Sequence, residues 1–481
     1  MKMKNIFKTC AFIALGMLAT ACSDNDVNVG MIDESRYSIG EEGVIGSILD
    51  NQGRRVFSKV EFRDTATVVF NVHSSLAATA DAVVTATYDA SVLEAYNKST
   101  GNKFEALPES ELTLDGTMTL AKGQTVSAPL SIKLKSNGQQ SHESTYAIPL
   151  RMKVTSGKGS LPTIDQTKIV FVKDLTALPS VKDKVTYDKE GKATEPVKVF
   201  SCMEVNDTNP LNNLCFTLKK TGAPLIDGVI LFSSNINYND KTGRVYLSHN
   251  ENNTAIFSNR MKYLKPLKDR GMKVYLSVLG NHDRSGVANL SKETAQDFAR
   301  EIKATCDAYD LDGVMLDDEY SNYGEAYGVP GFVNRSNAAI ARLYYEIKRI
   351  MPDRDMIVYQ YGSTPSGQTV DGVPAGEFID YVLHDYGNSW DVTGDYPGMP
   401  FSHLGLYSQE YTGRYFSNAG ALQSLVDQGS RAHMIFAMDP NRSNYYRQLQ
   451  SMQAMARVFY QDELVVTKNK DGRFYQKDWV K

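Results

Sequence analysis

The residues Asp312-Gly313-Val314-Met315-Leu316-Asp317-Asp318-Glu319-Tyr320 are where residue type and spacing first point to chemistry. The apolar run through Leu316 reads as a strand that ends in three carboxylates. Side chains alternate along a strand. Val314 and Leu316 therefore face one layer, and Met315, Asp317 and Glu319 face the other. Like charges in a confined site push their pKa values apart. One carboxyl can then hold its proton as an acid while its neighbour stays ionised. The plain alternative is an acidic turn capping the next element. Other site chemistries have less footing. The seven histidines are scattered without an HExxH pattern, and the five cysteines show no metal-ligand spacing. Neither a metal nor another cofactor is expected.

An acid pair works only if rigid elements hold it. From Lys198 onward, strands alternate with helices. Residues 226–232, 273–279, 313–317, 356–361, 378–383 and 433–438 read as strands. A helix over 336–351 is marked by Ile340, Leu343, Tyr344, Ile347 and Met351 on one face. Another precedes the strand at Gly313. Ser291 is its expected N-cap, and Ala295, Phe298, Ile302, Cys306 and Tyr309 share its apolar face. Repeated strand–helix units imply a parallel sheet. Residues 198–481 come close to the ~250 residues of a typical (β/α)8 TIM barrel. A doubly wound open sheet is the alternative, but no GxGxxG motif opens a helix. In a barrel, Asp317 and Glu319 stand at the C-terminal strand end, where barrel enzymes keep their chemistry.

Residues 36–175 follow a different period. Ala82/Val84/Ala86/Tyr88, Leu130/Ile132/Leu134 and Tyr146/Ile148/Leu150/Met152/Val154 alternate, and so do residues 60–63. Asp115-Gly116, Lys122-Gly123, Asn137-Gly138 and Gly157-Lys158-Gly159 are turn signals between such runs. The pattern predicts an all-β sandwich, with a short helix over 91–98 crossing between its sheets. The polar stretch 176–197 reads as a linker.

The N-terminus reads as an address. Lys2, Lys4 and Lys8 precede the apolar run 11–18, which is too short to span a bilayer, so 1–21 reads as a signal peptide. Leu18-Ala19-Thr20-Ala21-Cys22 resembles a bacterial lipobox whose leucine stands one position early. Cys22 would carry the lipid. Residues 22–35 would be a surface tether, opening on Ser23-Asp24-Asn25-Asp26. An acidic stretch there resembles a signal for export to the cell surface. The expected location is the outer membrane, as a lipoprotein facing outward. The alternative is a soluble secreted protein. Cys202, Cys215 and Cys306 then remain, most simply as buried free thiols.

Composition bounds the rest. With 42% hydrophobic and 22% charged residues the chain is globular and not disordered. A net charge of −4 gives no electrostatic reason to bind nucleic acid. Tyrosines (27) outnumber phenylalanines (19), which suits an exposed binding surface or half-buried strands equally.

The acidic strand is similar to the DGxDxDxE strand of glycoside hydrolase family 18. The wider likeness is to its endo-β-N-acetylglucosaminidase branch, the Endo H type. Glu204-Val205-Asn206, residues 232–238 (FSSNINY), 276–282, 311–324 (LDGVMLDDEYSNYG) and 380–390 follow that branch in order. The N-terminal half resembles the β-sandwich fused ahead of such barrels in glycan-foraging bacteria, through 96–108 among others. The resemblance implies cleavage between the two core GlcNAc residues of N-linked glycans on glycoproteins. One GlcNAc would stay on the protein, by a retaining, substrate-assisted route. It implies Glu319 as general acid and then base, and Asp317 orienting the 2-acetamido group. It implies Tyr386 bonded to the acetamido oxygen. Tyr320, Tyr359, Asn281, Glu204 and His384 would line sugar subsites, with Trp390 stacked on a sugar face. Partners in a surface glycan-uptake system are expected too. Two positions depart from the pattern. Met315 replaces the family's first Asp, which should shift the pH optimum or lower the rate. His384 replaces Asn or Gln. Other readings are a non-catalytic surface glycan-binding protein with a degenerate barrel, and a chitinase of the same family.

Overall fold

The computed structural model describes residues 38–39, 45–157, 161, 166–178, 183–387 and 389–479. The signal peptide 1–21, Cys22 and the tether 22–35 lie outside the described residues, as does part of the turn at Gly157-Lys158-Gly159.

The alternating N-terminal half forms two sheets face to face. One contains Ile45–Asp50, Thr65–Ser74, Leu130–Lys135 and Leu112–Leu114. The other contains Ser58–Phe62, Gln166–Asp174, Tyr146–Ser156, Ala82–Tyr88 and Thr117–Leu120. Their inward residues, among them Phe70, Val84, Ile132, Ile148, Leu150 and Met152, make one core. The predicted helix is Ala90–Thr100, capped by Asp89 and closed by Gly101 at φ 72°. It does not cross between the sheets. It leaves Ala82–Tyr88 and returns to Glu105–Ala106, which pairs with Tyr146–Ser156 of the same sheet. Leu93 and Tyr96 pack it on the outer face of that sheet, beside Ala147 and Phe171.

The C-terminal half is a parallel barrel. Its strands are β1 (Lys198–Glu204), β2 (Gly228–Asn239), β3 (Lys273–Leu279) and β4 (Gly313–Leu316). They continue as β5 (Asp355–Gln360), β6 (Tyr381–His384), a broken β7 (Leu404–Gly405 and Ser408–Glu410) and β8 (Ala432–Phe436). The first piece of β7 pairs with β6, the second with β8, and β8 pairs with β1, which closes the circle. Phe200, Ile230, Tyr275, Met315, Ile357 and Leu383 fill the interior. Val314 and Leu316 face outward into the core shared with the helices. Both predicted helices form. Lys292–Tyr309 starts at Ser291, whose side chain accepts from Thr294 N–H, and Asn337–Ile350 starts at Ser336 in the same manner. Their apolar faces cover β3, β4 and β5. Tyr344 Oη accepts from Leu316 N–H (3.1 Å) and donates to the Ile357 carbonyl (2.6 Å), fixing the end of β4. The strand read at 378–383 begins later, because Ala375–Phe378 closes a helical turn first. The strand at 226–232 runs on to Asn239 and folds back on Arg244–Ser248 as a hairpin.

Within the stretch read as a linker, Thr186–Tyr187 and Ala193–Thr194 pair as a short hairpin. Lys184 is buried on Asp227 (2.6 Å). This part is therefore packed on the barrel and is not a loose spacer. The sandwich seals the barrel end opposite Asp317 and Glu319. Lys59 reaches both Asp355 and Asp380, at the N-terminal ends of β5 and β6. Arg54 Nη1 donates to Asp380 (3.1 Å) and Arg55 Nε to Glu377 (2.7 Å). Phe57 packs edge-on to Tyr345 of the barrel, and Tyr96 Oη donates to the Arg349 carbonyl (2.9 Å).

Candidate active site

Asp317 directly follows β4, and its N–H still bonds across to the Val278 carbonyl (2.9 Å). Strand alternation thus carries on past Leu316 and aims Asp317 up the barrel axis, above Met315. Asp317 is only 2% exposed, and its Oδ1 has no hydrogen-bond partner among the described residues. Burial, then the charges of Glu319, Asp318 and Asp385, hold its carboxyl well above the usual range. Glu319 is half-buried. Burial raises its carboxyl as well, followed by Asp385 and Asp318. Raised carboxyls at the C-terminal end of a barrel strand fit an acid–base site.

The backbone around Glu319 is clamped by the segment after β3. Gly280 N–H donates to the Glu319 carbonyl (3.1 Å) and His282 N–H to that of Tyr320 (2.6 Å). Tyr320 sits at φ 56° in this tight crossing. A Cβ on Gly280 would lie 2.8 Å from the Tyr320 carbonyl carbon, with the Glu319 carbonyl oxygen closer still. Gly280→Ala should therefore displace Glu319 while the hydrophobic cores stay intact. The expected result is a 10- to 100-fold fall, roughly, in kcat/KM, with far-UV circular dichroism unchanged. Wild-type turnover by this variant would show that the crossing does not position Glu319.

The other expected residues divide into two groups. Glu204 ends β1 on the inward face. It accepts from Asn206 Nδ2 (2.8 Å), and burial and Asp207 raise its carboxyl. The Cys202 thiol below it is raised by burial and then by Glu204 and Asp317, so both acids lie near that thiol. Tyr359 lies on the inward face of β5 and donates to Asp385. Tyr386 is half-buried between Tyr415 and Phe436, with ring centroids 5.6 and 6.0 Å away. Its hydroxyl is pushed up to about 12 by burial, then by Asp385 and Glu319. Asn281 and Tyr320 are exposed beside the Glu319 crossing, and Trp390 is exposed after β6.

His384 does not join them. Its ring is fully buried, Nε2 is 2.7 Å from the Trp390 carbonyl, and the indole lies edge-on at 4.8 Å. Tyr381 and Leu383 take the inward face of β6, so alternation turns His384 outward. It supports the loop that carries Trp390 and is not on the inward face where a sugar was expected to meet it. The inward position falls to Asp385, which the sequence reading passed over. The rule already applied to β4 finds it, since Tyr381, Leu383 and Asp385 share one face. Among the described residues, Cys202, Cys215 and Cys306 are free and buried. No group of three or more His, Cys, Asp or Glu among them is placed to hold a metal ion.

Comparisons with known proteins place the chain beside known relatives. A family model described as an N-terminal domain matches residues 44–159. Endo-β-N-acetylglucosaminidase F1 of Elizabethkingia meningoseptica is 52% identical over 294 residues, 60% of this chain and 84% of that protein. An endo-β-N-acetylglucosaminidase of Flavobacterium sp. (strain SK1022) is 34% identical over 203 residues, 42% of this chain and 62% of that protein. EndoBT-3987 of Bacteroides thetaiotamicron, solved with a Man5GlcNAc product, superposes with a TM-score of 0.76 at 32% identity. That match covers 90% of this chain and 97% of the solved one. The same protein with a Man9GlcNAc2Asn substrate gives 0.72. The likeness thus spans sandwich and barrel together. The chain belongs to the endo-β-N-acetylglucosaminidases of glycoside hydrolase family 18.

Proposed function

We propose that this chain cleaves the β1,4 bond between the two core GlcNAc residues of N-linked glycans, leaving one GlcNAc on the glycoprotein. The observation that carries the reading is the buried Oδ1 of Asp317, unpartnered among the described residues, beside half-buried Glu319. A sugar amide would complete it. Asp317 accepts the N–H of the 2-acetamido group, and Tyr386 donates to its carbonyl oxygen. That oxygen attacks C1 while Glu319 gives its proton to the departing glycosidic oxygen. The ring so formed is opened at C1 by a water that passes its proton back to Glu319. Two inversions give retention, and no protein carboxylate bonds the sugar.

Met315 puts a thioether, and no carboxylic acid, beneath Asp317. Burial with three acidic neighbours is then what keeps the Asp317 carboxyl raised. Tyr320, Tyr359, Asn281 and Glu204 line the sugar subsites, and Trp390 is free to stack on a sugar face. The leader and Cys22 extend the proposal to an outer-membrane lipoprotein facing outward, working beside partners that take up the released glycan.

The test is mass spectrometry of high-mannose, hybrid and complex N-glycoproteins treated with the chain lacking residues 1–22. Wild type should leave one GlcNAc per site, and Glu319→Gln should leave glycans whole. Saturable glycan binding with no product from either protein would favour a lectin. Chitobiose from a chitin oligomer, with glycoproteins untouched, would favour a chitinase.

A further inference from the structure

Between Asp317 and Glu319 stands Asp318, whose side chain turns the other way, into the wall behind the site. It is completely buried and fully used. Arg335 donates to Oδ2 through Nε (3.0 Å) and Nη2 (2.7 Å), and Ser363 N–H donates to the same oxygen (2.7 Å). Tyr323 Oη donates to Oδ1. The Arg335 guanidinium also lies 5.3 Å over the Tyr323 ring. Tyr323 and Arg335 belong to the long loop after β4, and Ser363 to the loop after β5. One carboxylate therefore gathers two loops on the residue that separates the two site acids. The backbone of the second loop is pressed onto it, since a Cβ on Gly362 (φ 63°) would lie 2.8 Å from the Asp318 carbonyl oxygen and 3.0 Å from Oδ2.

We infer that Asp318 is the positioning residue of this site: by anchoring both loops to the end of β4, it fixes the directions of Asp317 and Glu319 from behind. Alternation permits nothing else of it, because a side chain aimed outward cannot reach the sugar. Its position gives it a second lever. Its charge is one of those that raise the carboxyls of both Asp317 and Glu319, and Arg335 is the cation that offsets it. The groups facing Glu319 are Asp317, Asp385 and Tyr386 as well as Asp318. Those facing Asp318 are Arg335 and Tyr323, with Tyr361 beyond Arg335.

The inference rests on the proposed hydrolysis, so wild-type turnover is the reference. Asp318→Asn keeps the shape but removes the charge and weakens the Arg335 contact. It should lower kcat roughly 10- to 100-fold, with KM changed less, because misplacing a reacting group acts on the transition state. Arg335→Gln and Tyr323→Phe should lower kcat less. The pH profile separates this role from mere loss of packing. Losing the negative charge lowers the pKa of Glu319, so the basic limb of Asp318→Asn moves to lower pH. Losing the cation does the reverse, so the basic limb of Arg335→Gln moves to higher pH. If Asp318→Asn does not fold, Arg335→Gln, 45% exposed in its side chain, carries the test alone. Wild-type turnover with unchanged kcat and an unmoved limb in the folded variants would overturn the inference. Absence of wild-type turnover would instead strike at the hydrolytic reading.

Discussion

Glu319→Gln is expected to cut kcat by about 10²- to 10⁴-fold, the usual worth of a positioned proton donor. The substitution keeps size and polarity, so KM should move little and the fold should stand. The sign of the pH effect follows from the environment. Glu319 acts first as an acid, so the rate is lost as pH rises through its pKa. Burial, Asp385 and Asp318 all raise that pKa, which places the basic limb above that of an ordinary glutamate. Glutamine does not titrate, so this limb should vanish from the residual activity. Steady-state rates over a pH series on one defined N-glycopeptide provide the check. An undiminished kcat, or a limb that survives in Glu319→Gln, would mean that another group gives the proton. Asp317 would be the first suspect, since its carboxyl is raised by burial and then by Glu319.

Much of this site was legible because β4 obeys one simple rule. Two-residue alternation separates Val314 and Leu316 from Met315, Asp317 and Glu319, and the structure keeps that separation. The helices were legible for a similar reason, since both are strongly periodic runs and Ser291 is a hydroxyl cap ahead of one; the structure adds Ser336 as the cap of the other. His384 went astray where a family position was allowed to outweigh the same alternation. Counting inward from Leu383 on β6 reaches Asp385 and leaves His384 outside. β7 was invisible for a different reason. It is two pieces of two and three residues, shorter than any window in which a period can be seen. The seam between the domains was beyond reach altogether. Arg54 and Asp380 are 326 residues apart, and no local pattern encodes a partner at that distance.

That seam carries the second large expectation. Asp380 is 2% exposed, yet burial does not neutralise it, because Lys348, Lys59 and Arg54 together hold its carboxyl well below the ordinary range. Two of those cations come from the sandwich. The barrel on its own would keep only Lys348 on Asp380 (2.9 Å), while Asp355 would keep Lys273 (3.2 Å) and lose Lys59. Removing one partner of a buried ion pair costs about 3–5 kcal/mol, because the other charge is stranded. Arg54 also donates to the Ile379 carbonyl (3.1 Å) and is 1% exposed, so water cannot take its place. Arg54→Met should therefore destabilise the barrel by about 3 kcal/mol, the low end of that range, since two cations remain. The chain reports this directly. Both tryptophans, Trp390 and Trp479, lie in the barrel half, so their fluorescence follows the barrel, while circular dichroism follows both halves. In wild type the two denaturation curves should coincide, as one cooperative unit requires. In Arg54→Met the fluorescence midpoint should fall although the altered residue belongs to the sandwich. The stabilisation has a definite pH window too. A depressed carboxyl contributes fully above its unfolded pKa and is lost as pH falls through its folded one. The carboxylate's share of the difference between wild type and Arg54→Met should thus be full at neutral pH and shrink in strong acid, below about pH 4. An unmoved tryptophan midpoint would mean that the sandwich merely rests on the barrel. A moved one would make it the floor on which β5 and β6 stand, and through them Tyr359 and Asp385 at the other end of the same strands.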